Sequence, residues 1–296
     1  MLMNVSRIQN FMDQHQLDIL VAATPENIFY TSGFWSISQM QLGTSVFTIL
    51  YRDNIRKPCL IAPLGEMDMT LDSPSMWVED ILPYSTFHMD VGEDPQTESD
   101  QTLLGLLALK DIPPTGIDAL VQALKERDLD TGKIGLDDGY ISPQVFHQIR
   151  TRLPNAEIVE AYELFREIRM VKTKEEIQLI KKSTEIDELA IQAALEIAQP
   201  GITEEQLAIE FNKTIVDHGA LPEFAVICFG NRSAYPNALL TSKKLQPGDV
   251  IRFDVGCRYR FYNSDLARTA ALGSITDKQH RYYDAILKGE ERGIEA

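Results

Sequence analysis

A carboxylate inside an apolar strand is costly, and this chain carries one with a second carboxylate close behind it. Asp254 lies among Val250, Ile251, Phe253 and Val255, in a run where a strand disfavours Asp. Asp265 follows at the far side of what reads as a short turn, before Leu266 and Ala267. A turn centred on Tyr259 and Arg260 pairs 258 with 261 and 257 with 262, and so sets Asp254 directly opposite Asp265. Opposed Cβ atoms are roughly 5 Å apart, a separation at which like charges destabilise a hairpin. A solvated surface position is the usual fate of an Asp, but the apolar neighbours of Asp254 speak against it. Two facing carboxylates in a half-buried sheet have two remedies: one keeps its proton, or a hard divalent cation neutralises both. The second remedy makes a hydrolytic metal site.

Around this pair lie the Gly230–Ala238 loop with Tyr235, Pro236 and Asn237, then Leu245 to Val250 with Pro247 and Gly248, then Val255 and Gly256, then Ser264 to Thr269. Together these segments resemble the pita-bread metallopeptidases, a family that includes aminopeptidase P, prolidase, methionine aminopeptidase and the metal-free creatinase. The resemblance implies that Asp254 and Asp265 are metal ligands, the first chelating one ion and the second bridging two. It also implies divalent metal, Mn²⁺ first with Co²⁺ or Zn²⁺ as alternatives, a peptide with proline at its second position as substrate, and a homodimer.

The chain departs from the family pattern in places. The family completes its cluster with a His and two Glu far downstream, and this sequence ends at Ala296, so the expected second domain lacks the C-terminal half of the catalytic fold. Half of such a domain is expected to expose a sheet edge and an apolar face, and so to self-associate or be poorly stable. His280 reads as a residue on a surface helix. Asn237 stands where the family usually has a His that contacts substrate. An amide there can hydrogen-bond an intermediate but cannot shuttle a proton at neutral pH. Phe261 replaces a turn Gly, which leaves the hairpin register open. Strand alternation from Asp265 puts Arg268 on the opposite face, where a structural ion pair is expected.

The chain of 296 residues is long enough for two domains, with 44% apolar and 24% charged residues as in an ordinary globular protein. A net charge of −16 opposes binding to nucleic acid or anionic lipid. The densest apolar run, Leu103 to Leu109, is far shorter than a membrane span. The amino end reads as an amphipathic helix rather than a signal peptide, which favours a cytoplasmic address. Cys59, Cys228 and Cys257 lack metal or redox spacing and fit a reducing compartment.

The first half alternates strand and helix. Strands are expected over 17–23, 45–51, 58–62, 133–136 and 156–159, and a helix over 117–124. The stretch from Pro25 to Phe34 resembles the creatinase-type amino-terminal domain; physically it is a turn followed by core-packing residues. The acidic stretch from His88 to Asp100 reads as a solvated loop, and Pro113 with Pro114 as punctuation. The fold class is therefore α/β, with α+β in the second domain: a creatinase-type sheet domain over 1–164, then an incomplete pita-bread domain over 165–296. Thr173 with Glu176 predicts a capping box, and Ile186, Leu189, Ala190, Ala193 and Ile197 the buried face of a long helix. Thr203 with Gln206 opens the next helix, which carries Leu207, Phe211 and Ile215 inward and ends with His218 as a dipole-complementing cap.

The leading function is a metallohydrolase of the Xaa-Pro aminopeptidase or dipeptidase type, cleaving peptide bonds with water activated by two metal ions; with two of five ligands in this chain, weak metal affinity, an unformed pocket and an inactive chain are within that expectation. Two alternatives stand beside it: a non-catalytic pseudo-peptidase serving as a peptide-binding or dimerisation module, and a creatinase-like C–N hydrolase. The last conflicts with Asn237, because that chemistry relies on the loop His.

Overall fold

In the computed structural model, residues 1–85 and 97–296 are described; the acidic stretch expected as a loop lies, up to residue 96, outside them. The chain divides into two compact units, Met1–Thr173 and Lys174–Ala296.

The first unit opens with α1 (Val5–Gln14), whose Ile8 and Met12 are buried. It continues through β1 (Ile19–Ala22), α2 (Pro25–Ser32), α3 (Ile37–Leu42), β2 (Phe47–Tyr51), β3 (Cys59–Pro63), α4 (Met67–Asp72) and β4 (Asp80–Tyr84). After the undescribed residues come α5 (Glu98–Leu107), α6 (Gly116–Glu126), β5 (Lys133–Leu136), α7 (Pro143–Arg152), β6 (Glu157–Glu160) and α8 (Tyr162–Met170). The strands form one sheet in the order β4-β3-β2-β1-β5-β6. Its pairings are mixed: β1 with β2 and β2 with β3 run antiparallel, and the others parallel.

Alternation along β1 explains the layering. Leu20 and Ala22 pack with Ile8, Met12, Ile28 and Phe165 on one side, while Ile19 and Val21 pack with Leu120, Leu124 and Ile149 on the other. A sheet apolar on both faces needs helices on both, which is the α/β arrangement read from the sequence.

Two local expectations are corrected. The stretch after Thr24 is helix α2: the Thr24 side chain accepts from Asn27 N, Pro25 occupies the first turn, and Gly33 closes it at φ 78°. Pro at the helix start and Gly at its end is the physical signature of such a segment. The boundary after residue 164 also moves. Phe165 and Ile168 of α8 are fully buried in the first unit, and Arg7 donates to the carbonyls of Glu167 and Ile168, so the division falls after Thr173.

The second unit contains α9 (Lys174–Glu196), α10 (Glu204–Asp217), β7 (Leu221–Phe229), β8 (Val250–Tyr259), β9 (Tyr262–Asn263), β10 (Leu266–Ala271) and α11 (Asp277–Glu295). Its sheet runs β10-β8-β7, with β9 paired to β8. Helices α9 and α10 back one face, where Ile186, Phe211, Phe229, Phe253 and Val255 form the core. Burying one such side chain contributes about 1.5–3 kcal/mol. The capping box of Thr203 with Gln206 is present, and Leu207, Phe211 and Ile215 face inward as expected. The buried stripe of α9 is rotated from the expected one: Ser183, Ile186, Asp187, Ala190, Ile191 and Ala194 are buried, whereas Leu189 and Ile197 are exposed. The helix therefore buries two carboxylates, Glu176 and Asp187.

Candidate metal centre

The two aspartates depend on the β8–β10 hairpin. Arg260 and Phe261 occupy its tip with φ 46° and 69°, and Tyr259 pairs with Tyr262 and Arg258 with Asn263. Two consecutive left-handed residues match the right-handed strand twist, even without the Asn-Gly pair that favours such a turn. The tip is thus one residue further along than expected, and Asp254 pairs with Ala267, not with Asp265. A one-residue shift of the tip moves the partner by two, which keeps the face and changes the neighbour. Asp265 is now diagonal to Asp254, a relation spanning about 7 Å in a regular sheet. It lies just outside β10, next to Leu266, which faces the helix-backed core.

Ser264 and Asp265 sit in a break between β9 and β10. Ser264 Oγ accepts from Cys257 N at 3.1 Å and donates to Cys257 O at 3.1 Å. Gly256 permits this close approach, because a Cβ there would stand 2.5 Å from the Ser264 carbonyl oxygen. Beneath the break, Asp187 of α9 is fully buried, and among the described residues neither carboxylate oxygen has a hydrogen-bond partner. Burial pushes its pKa up, against an opposing influence from the nearby Ser264 and Cys257 groups. Neither group is aligned on the carboxylate: Ser264 Oγ donates to Cys257 O, and Cys257 Sγ to Ser183 O at 3.3 Å. Burial also pushes the Cys257 thiol up to about 11, so it is no nucleophile at neutral pH.

The expectation that something positive must neutralise the aspartates is met at Asp254 by a side chain. Arg252 Nη2 lies 2.8 Å from Asp254 Oδ2. Its guanidinium also donates to the carbonyls of Ser233, Tyr235 and Pro236, and so brings the loop before Asn237 up to β8. Among the described residues, the side chains of Asp265 and Asn237 make no hydrogen bond within the protein, and both are exposed. Asp265 is therefore more open than a half-buried sheet implied, whereas Asp254 is 36% exposed.

The other side of the loop is held by Glu204, the first residue of α10. Its side chain is fully buried and pairs with Arg232 Nε at 3.1 Å. It also accepts from Phe229 N, Thr241 N and Thr241 Oγ1, so both ends of the 229–241 segment meet at one carboxylate. Arg232 Nη2 adds a bond to Leu239 O at 2.6 Å. Sequence reasoning missed Arg252, Glu204 and Asp187. Arg252 was legible as the same-face neighbour of Asp254 in an alternating strand; nothing local marked Glu204 or Asp187 as buried.

The remaining singled-out residues have structural roles. His218 caps α10 and contacts Thr214 O. His280 pairs with Asp284 on α11. Arg268 pairs with Glu188 of α9 at 2.7 Å, on the helix side of the sheet as alternation required. Cys59, Cys228 and Cys257 are free and buried. A groove of about 600 Å³ lies elsewhere in this unit, between the sheet and α11, lined by Ala270, Ile275, Tyr282 and Ile286 among others.

Carboxylate oxygens on one sheet face suit a hard divalent cation. Among the described residues no three His, Cys, Asp or Glu side chains converge as a metal cluster, so Asp254 and Asp265 fit as part of a ligand set. No helix among them is long and apolar enough to cross a membrane.

Comparison with known families decides the lineage. The creatinase/prolidase N-terminal domain model matches residues 5–171, and the metallopeptidase family M24 model matches 178–296. The chain belongs to the creatinase/prolidase metallopeptidase family. It is 26% identical to an Xaa-Pro dipeptidase of Pyrococcus furiosus over 99% of this chain and 71% of that protein. Its fold resembles the prolidase of Pyrococcus horikoshii OT3 with a TM-score of 0.71 and 22% identity, covering 99% of this chain and 71% of that one. It also resembles an X-Pro aminopeptidase of Thermotoga maritima with a TM-score of 0.73 and 20% identity, covering 97% and 71% respectively. The two-unit architecture is thus that of the pita-bread hydrolases, and membership implies divalent metal.

Proposed function

We propose that this chain is an Xaa-Pro dipeptidase-type metallohydrolase whose Asp254 and Asp265 hold divalent metal. What supports this reading is that Asp254 lies in β8 opposite Ala267, which leaves Asp265 diagonal to it, and that Arg252 ties the loop before Asn237 beside Asp254. Metal at those carboxylates would supply Lewis-acid polarisation of a peptide carbonyl and acidify water. Arg252 and Glu204 hold the loop, and Asn237 offers an amide to a peptide substrate but no proton at neutral pH. The oxygen-only pair favours a hard ion such as Mn²⁺ over a soft one. The family resemblance supports a homodimer, and the acidic composition opposes a role on nucleic acid or anionic lipid.

One observation favours a second reading. The Arg252–Asp254 pair neutralises a would-be ligand, as in a non-catalytic peptide-binding module. Calorimetric titration of Mn²⁺, with Xaa-Pro dipeptide cleavage assayed in the same samples, separates the two. The hydrolase reading expects binding that Asp254→Ala and Asp265→Ala each weaken by about 100-fold, on the order of 3 kcal/mol, with loss of cleavage. No heat at millimolar Mn²⁺ and no cleavage would leave the binding module.

A further inference from the structure

Arg252 is a cation built in at the carboxylate assigned to a cation, and both of its terminal nitrogens are fully engaged. Nη1 donates to Ser233 O at 3.3 Å and Tyr235 O at 2.8 Å, and Nη2 donates to Pro236 O at 2.8 Å and Asp254 Oδ2 at 2.8 Å. Four acceptors use the four terminal N–H bonds of a guanidinium. The side chain is 21% exposed, so this geometry is held by its surroundings rather than sampled at a free surface.

We propose that Arg252 is a latch: it occupies the cation position at Asp254, ties the Asn237 loop to β8, and is displaced when Asp254 takes a divalent ion. The inference rests on Asp254 being a metal ligand, as proposed above. A guanidinium and a divalent ion on one carboxylate are like charges a few ångströms apart and repel strongly where water is partly excluded. Metal binding therefore works against Arg252. Once Asp254 is withdrawn, Nη2 loses its charge-assisted bond, which is the stronger kind, and keeps one carbonyl. The backbone carbonyls of Ser233, Tyr235 and Pro236 are then held less firmly, immediately before Asn237. The loop that would meet substrate is pinned in the metal-free chain and released in the loaded one. Arg252 acts here as a positioning residue, through Asp254 and the loop.

Two substitutions separate charge from geometry. Arg252→Met removes both, whereas Arg252→Lys keeps a cation beside Asp254 but has no planar fork for three carbonyls. The test combines Mn²⁺ calorimetry with amide hydrogen exchange over residues 230–241, on the whole chain with and without Mn²⁺. Arg252→Met is expected to bind Mn²⁺ at least about tenfold tighter than the wild type, and Arg252→Lys close to it. Both variants should exchange faster than the metal-free wild type. Mn²⁺ should accelerate exchange in the wild type and leave Arg252→Met unchanged. Equal or weaker Mn²⁺ binding by Arg252→Met, or wild-type exchange that Mn²⁺ does not alter, overturns the latch and leaves the metal reading standing. No Mn²⁺ binding by the wild type or by Arg252→Met overturns both. Should the variants fail to fold, the wild-type exchange comparison decides alone.

Discussion

Two buried carboxylates sit at opposite ends of the second unit's sheet, and their surroundings differ completely. At the loop end, Glu204 is enclosed by Arg232, two backbone N–H groups and the Thr241 hydroxyl. At the hairpin end, Asp187 is equally inaccessible, yet among the described residues neither of its oxygens has a hydrogen-bond partner. Burial of a charge is tolerated where it is fully paired and penalised where it is not. The loop end is therefore a fixed clasp, while the hairpin end, under Asp265, carries an uncompensated polar group.

The sharpest break of this contrast is Glu204→Ala. It strands Arg232 and releases both ends of the 229–241 segment, and should cost about 3–5 kcal/mol, read as a drop in the denaturation midpoint. A loss below about 1 kcal/mol would mean that the clasp is not what holds the loop. At the hairpin end, Gly256→Ala should cost about 1–3 kcal/mol, because its methyl would meet the Ser264 carbonyl oxygen and the Phe224 ring, each at 2.5 Å. Calorimetry should also show weakened Mn²⁺ binding, since Asp265 follows Ser264 directly.

Asp187→Asn should act in the opposite direction and stabilise the unit by about 1 kcal/mol at neutral pH. The pKa of Asp187 is raised by burial above its ordinary 3.8, so its contribution to stability is present in full below that value. It is lost as pH rises through the folded-state pKa. The gain from the substitution should accordingly vanish in acid and grow toward neutrality; a gain independent of pH would show that Asp187 is not the titrating group. The smallest effect belongs to the turn. Arg260→Asn combined with Phe261→Gly relieves two left-handed residues and should stabilise the hairpin by about 0.5–1 kcal/mol, less what the Arg260–Tyr259 stacking contributes. Strand-pair exchange rates in β8 and β10 would report it.

How much of this was legible in advance differs by element. The strands of the first unit were readable because β1, β2 and β3 are predominantly apolar runs, buried on both faces. Helix α10 was readable from its capping box and the inward positions of Leu207, Phe211 and Ile215. Helix α2 was missed because every residue but Glu26 is buried, and a helix surrounded by core shows no amphipathic period. The stripe of α9 was misplaced because the apolar count favoured Leu189 and Ile197 over Asp187 and Ser183. The hairpin register was missed because neither candidate tip contains Gly or Asn, so turn chemistry gave no vote.

By itself, then, the sequence determined the two-unit α/β plan and the family, since apolar runs, capping signals and motif spacing are local properties. Only the tertiary structure decided that Asp265 is diagonal to Asp254, that Arg252 neutralises Asp254, and that Glu204 is satisfied while Asp187 is not. Those outcomes depend on which donors reach a given oxygen, and the donors at Glu204 come from positions 229, 232 and 241. Such partners are distant along the chain, and no local pattern records their convergence.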